Sequence, residues 1–132
     1  MTGFMLDTNT VSHILKGQHC AVDRLSKRSI QEVCISAVTE GELLFGLAKR
    51  PDATRLHMIV KEFLRHVEIM PWDSAAAATY GSLRAGLEST GKTVGSLDLL
   101  IAANALSLDC ILATSDGGFD KIDSLKSENW AS

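Results

Sequence analysis

With 132 residues, 45% of them hydrophobic and 22% charged, the chain has the size and balance of one globular domain and no room for a second core. Two prolines and the lack of a low-complexity run argue against a disordered tail, and no apolar run approaches the roughly 20 residues that span a bilayer. The start MTGFMLDTN has neither the basic opening nor the long apolar stretch of a secretory leader, so one domain over residues 1–132 and a cytoplasmic location are the expectations.

Along the chain, Phe4-Met5-Leu6 is a short apolar run followed at once by Asp7-Thr8-Asn9, residues that open helices, which predicts strand, turn and helix. The pattern repeats at Val33-Cys34-Ile35, where Ser36 is placed to cap a helix on which Val38, Glu42, Phe45 and Lys49 share one face. Residues 52–66 carry Ile59, Val60, Phe63 and Leu64 at helical spacing, and Val67 to Met70 reads as a strand closed by Pro71. An Ala-rich helix runs from near Asp73 to Glu88 before a break at Gly91. Ser96 then caps a helix whose apolar stripe is Leu97, Leu100, Ile101, Ala105 and Leu108, and Cys110 to Ala113 is a fourth strand with Asp116 just beyond it. Strands alternating with helices predict an α/β fold of three layers, a central parallel sheet flanked by helices.

Three cysteines cannot all pair within one chain, and Cys34 and Cys110 lie in apolar runs, as buried thiols of a reducing compartment do. His13, His19, His57 and His66 show no zinc spacing and are expected on helix surfaces.

Four acids stand out by position. In open α/β sheets the ligand crevice lies beyond the carboxyl ends of the strands, where Asp7 and Asp116 both fall. Glu42 shares a helix face with Val38 and Phe45, and Asp98 shares one with Ile101, Ala102 and Ala105. A carboxylate on an apolar face calls for a partner, and no Lys or Arg occupies the neighbouring turns of the Asp98 helix. A hard cation is the simplest common partner, because Mg²⁺ and Mn²⁺ prefer oxygen ligands. Such a site can act on a phosphodiester, which is hydrolytic nuclease chemistry. Each acid also has a plainer role: Asp7 as a helix cap, Asp116 as a turn residue before Gly117-Gly118, Glu42 as a surface acid, and Asp98 as a carboxylate near a helix start. Their joint placement around one crevice favours the metal.

The net charge of −3 argues against a nucleic-acid partner until its distribution is considered. Without the four acids the rest of the chain carries +1. Lys49, Arg50, Arg55, Lys61 and Arg65 against Asp52 and Glu62 form one candidate phosphate-contacting face, and Lys16, Arg24, Lys27 and Arg28 against Asp23 form a second. A solvated helix face is the alternative for each.

The segments MLDTN, ISAVTEGELLFG, GSLDLLIAANAL, LATSDGGF and the closing ENW, in this order and spacing, resemble the PIN-domain ribonucleases of VapC type, the toxin halves of bacterial VapBC toxin–antitoxin pairs. The resemblance runs from the first strand to the C-terminus. It implies that Asp7, Glu42, Asp98 and Asp116 are the acidic residues that bind Mg²⁺ or Mn²⁺ and carry catalysis, with Thr8, Asn9, Thr39 and Thr114 as supporting polar positions. It also implies a homodimer, a VapB-type antitoxin, a complex that binds promoter DNA through that antitoxin, and an RNA substrate whose cutting inhibits translation. Relatives of this kind cleave tRNA, including initiator tRNA in the anticodon stem-loop, or ribosomal RNA. Two positions depart from the pattern: Asn104 stands where many members have histidine, and Gly117-Gly118 replaces more polar residues.

Other activities remain open at this point. A receiver-type phosphoacceptor domain has a similar fold and a Mg²⁺ pocket, but expects adjacent acids after the first strand, where Thr8 and Asn9 follow a lone Asp7. A phosphatase with an Asp nucleophile expects a second Asp where Asn9 stands. A non-catalytic PIN-fold binding module would have lost acids that are all present here.

Overall fold

The computed structural model describes residues 3–132. Its centre is β1 (Phe4–Leu6), a three-residue apolar strand buried on both faces. β2 (Val33–Ser36) pairs with it on one side and β4 (Ile111–Ala113) on the other, while β3 (Glu68–Met70) and β5 (Ser127–Glu128) form the edges. All four pairings are parallel, in the order β3-β2-β1-β4-β5.

Alternation along β1 divides the core, because successive side chains leave a strand on opposite faces. Phe4 and Leu6 join Val33 and Ile35 on one face, covered by α1 (Thr8–Leu15), α2 (His19–Ser26) and α4 (Thr54–His66) through Val11, Leu25, Val60 and Phe63. Met5 and Leu112 meet α5 (Ser74–Ser89) and α6 (Ser96–Ser107) on the other, through Leu87, Leu99, Ile101 and Ala105. Between α2 and β2 lies a short 3₁₀ turn, Ile30–Glu32, and a second, Gly117–Lys121, follows β4. α3 (Ala37–Ala48) sends Leu43 and Leu47 to the first cluster and Val38 to the second. The three-layer α/β arrangement is the one the sequence predicts. Among the described residues no helix is long and apolar enough to cross a membrane.

Four expectations need correction. A fifth strand exists: Ser127–Glu128 has no apolar signature and is a strand only because backbone groups of β4 and Thr114 pair with it, Leu112 N with Lys126 O at 2.9 Å and Thr114 N with Glu128 O at 2.8 Å. Ser96 is the first residue of α6 rather than its cap; Gly95 holds the cap position without a side-chain bond. Leu97 leaves the predicted stripe and is 47% exposed, because the buried side of α6 turns instead on Leu99, Ile101, Ala102 and Ala105. On α3 the predicted Val38–Glu42–Phe45–Lys49 face is split: Val38 packs against the second cluster, Glu42 is half-buried, Phe45 is 62% exposed and Lys49 is exposed, and the buried positions are Thr39, Leu43 and Leu47. Glu42 is therefore half-buried, not sealed in an apolar face.

Candidate active site

Because β1 has a neighbour on each side and chain connections leave it in both directions, its carboxyl end is the switch point where open α/β sheets form a crevice. Asp7 stands there. Its backbone N–H donates to Ala113 O at 3.1 Å, which ties it to the end of β4, and it is only 3% exposed. Its Oδ1 accepts the Thr10 amide at 2.8 Å as the N-cap of α1, while its Oδ2 accepts the Thr114 hydroxyl at 2.5 Å. Capping thus uses one carboxylate oxygen, and a single threonine contact addresses the other.

Thr114 also connects Asp7 to the fourth acid, since its Oγ1 accepts the Asp116 amide at 2.9 Å. Asp116 in turn caps the turn that follows, its Oδ1 accepting the Gly118 amide at 2.8 Å. A Cβ at Gly118 would lie 3.2 Å from that oxygen, so a residue without a side chain suits this close approach. On the other side, Thr8 at the start of α1 donates to Glu42 Oε1 at 2.6 Å and lies 3.5 Å from the hydroxyl of fully buried Thr39. These bonds link α1 to α3.

Asp98, in the first turn of α6, completes the group. Its carboxyl is pushed up from the ordinary 3.8 to about 6, first by burial, then by the charge of Asp116 and a hydrogen bond with it, and further by Asp7 and Glu42. Asp7, Glu42 and Asp116 are thus all near enough to raise the Asp98 carboxyl. Among the described residues, no Lys, Arg or His forms an ion pair with any of them. No three His, Cys, Asp or Glu side chains converge closely enough to enclose an ion by themselves. An all-oxygen set with uncompensated negative charge fits a hard divalent cation that keeps part of its water shell, the usual state of protein-bound Mg²⁺. A groove of about 680 Å³ between α5 and residues 121–124 contains none of the four acids.

Of the supporting positions, Thr8, Thr39 and Thr114 take part as described, whereas Asn9 is exposed and makes no side-chain hydrogen bond among the described residues. Thr10 takes the inward place that Asn9 does not. It is buried, its amide caps on Asp7, and its hydroxyl donates to Ala113 O at 2.8 Å. The signal was available, because the third residue after an N-cap aspartate supplies the capped amide. Asn104, 1% exposed, gives its amide to Pro71 O at 3.4 Å and leaves its Oδ1 without a partner.

This acid-lined crevice on a parallel sheet accompanies a match to the PIN domain over residues 4–125, and the chain belongs to that family. It is 32% identical over 132 residues, 99% of this chain and 100% of the relative, to the tRNA(fMet)-specific endonuclease VapC of Shigella flexneri. Among solved structures it is similar to the DNA-bound VapBC of Salmonella typhimurium, with a TM-score of 0.91, 32% identity and coverage of 98% and 99% of the two chains. VapBC2 of Rickettsia felis, bound to a DNA fragment from its promoter, is similar too, with a TM-score of 0.88, 29% identity and the same coverage. Within the PIN family the chain is of the VapC type.

Proposed function

We propose that this chain is a metal-dependent endoribonuclease, the toxin of a VapBC-type pair, which hydrolyses RNA phosphodiesters and so inhibits translation. The observation that carries the proposal is that Asp7, Glu42 and Asp116 all weigh on the Asp98 carboxyl near the carboxyl end of β1, with no basic side chain paired to any of the four among the described residues. Asp7, Asp98 and Asp116, with Glu42 at the rim, are the residues that would hold Mg²⁺ or Mn²⁺. When bound, such an ion supplies Lewis acidity toward phosphate and water. The chain's own groups set the stage. Thr114 fixes the Asp7 carboxylate through Oδ2 and the Asp116 backbone through its amide, and Thr8 fixes Glu42. Asp98, raised to about 6, holds its proton to a higher pH than an ordinary carboxyl does.

The similarity to VapC of Shigella flexneri makes tRNA, initiator tRNA first, the substrate to test. The neighbouring VapBC structures, one of them bound to promoter DNA, support a VapB-type antitoxin as partner and promoter DNA as the target of the complex; a homodimer within that complex and a cytoplasmic site of action complete the reading. Incubation of purified protein with total tRNA in Mg²⁺ and in EDTA tests the activity. New 5′ ends in Mg²⁺ alone, lost in a folded Asp7→Asn variant, are the expected result. Cutting that persists in EDTA or in Asp7→Asn overturns the proposal. Labelling by acetyl phosphate without RNA cutting would identify a phosphoacceptor instead.

A further inference from the structure

Past Glu42, α3 carries a ring and an ammonium that the proposed chemistry leaves unused. Glu42, Phe45 and Lys49 follow one another at spacings of three and four residues, so they line one side of the helix and its C-cap. Round the axis, Lys49 lies within about 20° of Glu42 and Phe45 within about 60°. Along the axis, Phe45 is about 4.5 Å and Lys49 about 10.5 Å beyond the acid. Glu42 is tied to the crevice by the Thr8 hydroxyl at 2.6 Å. One turn on, Phe45 is 62% exposed, and the Lys49 ammonium stands 4.8 Å from the centre of its ring. Lys49 and Arg50 are both exposed, and neither forms an ion pair among the described residues.

A dry contact with a second copy of the chain would bury the Lys49 charge without a partner, which is costly. An RNA strand answers both groups at once. A base has a π-face that stacks on a ring, and the phosphate beside it supplies the negative charge that Lys49 lacks. On the ribonuclease reading, on which this inference rests, we propose that Phe45 and Lys49 form a nucleotide subsite of the RNA strand beside the acids. The Phe45 ring stacks on an unpaired base, and the Lys49 ammonium pairs with a phosphate of the same strand. Arg50 and Arg55, also without ion pairs among the described residues, continue the basic run beyond it. Stacking needs a base free of its own helix, so the subsite selects single-stranded or looped RNA over duplex. Leu44, the other exposed large apolar residue of α3 at 45%, lies about 160° from Glu42 round the axis and is outside the subsite.

The experiment measures binding of a fluorescein-labelled single-stranded RNA oligonucleotide, and of its duplex, to the purified full chain by anisotropy in EDTA. Metal-dependent cutting is silent there, so loss of this subsite is told apart from failure of the ribonuclease reading, which cutting in Mg²⁺ decides. Phe45→Ala and Phe45→Leu should each weaken single-strand binding by about 5- to 100-fold, and Phe45→Trp should preserve it. Lys49→Gln should weaken it and lower the slope of log affinity against log salt by about 0.7. Duplex affinity should be the same in wild type and Phe45→Leu, and Leu44→Ala should bind as wild type does. A 5-iodouridine in the oligonucleotide should cross-link under ultraviolet light to the peptide that contains Phe45. Melting curves establish that each variant is folded. Wild-type affinity in Phe45→Leu, an unchanged salt slope in Lys49→Gln, an equal loss of duplex binding, or no RNA binding by the wild type would each overturn the proposal. So would a shift from dimer to monomer in Phe45→Leu by light scattering, which would assign this face to a second copy.

Discussion

Asp98→Asn separates the acid's part in a metal site from an ordinary structural part. In the metal-free protein the Asp98 carboxyl is raised from 3.8 to about 6 by burial and by three carboxylate neighbours. The folded state thus binds a proton more tightly than the unfolded chain. Below about pH 4 both states hold it and no penalty exists, and as pH climbs through 6 the folded protein must surrender it and stability falls. Two pH units correspond to a ceiling of about 3 kcal/mol, but the carboxyl is partly exposed and solvent screening leaves about 1 kcal/mol. Asparagine keeps the shape and lacks the charge. At pH 7.5 in EDTA, Asp98→Asn should therefore melt about 3–4 °C above wild type, using the unfolding entropy usual for a chain of this length. Mg²⁺ should reverse the order. At a hundred times its dissociation constant it adds about 2.7 kcal/mol to wild type and much less to the variant, which has lost a ligand charge. Differential scanning fluorimetry from pH 4 to 8, with EDTA and with Mg²⁺, measures both effects. A variant that melts below wild type in EDTA and gains as much from Mg²⁺ would show that Asp98 serves only the start of α6.

Three further outcomes are expected. Thr114→Val leaves the buried Asp7 Oδ2 without its donor and the Asp116 amide without its acceptor, so stability should drop by about 2–3 kcal/mol and cutting should fall with it, while Thr114→Ser restores both; an unchanged chemical-denaturation midpoint in Thr114→Val would refute the link. Water attack assisted by a metal leaves 5′-phosphate and 3′-hydroxyl ends, whereas 2′,3′-cyclic phosphates detected by mass spectrometry would point to attack by the ribose. Cys110 is lowered to about 7, mainly by the Cys34 hydrogen bond, so its alkylation by iodoacetamide should rise through a midpoint near pH 7, and Cys34→Ala should move that midpoint up toward 9.

What could be read from the sequence follows from how local each signal is. Phe4 to Leu6 and Asp7 were legible because an apolar triplet ending in a helix cap needs no distant partner to be recognised. The positions of Asp7 and Asp116 beyond the ends of β1 and β4 and of Asp98 in the first turn of α6 were legible from local pattern, whereas the surroundings of Glu42 were not. Ser127–Glu128 was hidden because its pairing is wholly tertiary, made by the backbone of β4. The outward turn of Leu97 and Phe45 was hidden for another reason. Both helices are apolar on more than one side, so periodicity does not select the side that faces the sheet. Asn9 and Thr10 show the same limit on a smaller scale, since one residue along a helix turns a side chain by about 100° and decides between solvent and core.

The threonine that joins Asp7 to Asp116 also divides the crevice mechanically. On one side of it, Asp7 is fastened to the central strand, to α1 and to β4, so it can be displaced only when the sheet itself comes apart. On the other, Asp116 rests on a short turn whose Gly117 is exposed and whose Gly118 amide is held by the aspartate's own side chain. Openings confined to such turns take far less free energy than global unfolding. The two acids therefore sit on backbone of unequal stability, so amide exchange should be faster at exposed Gly117 than at Asp7.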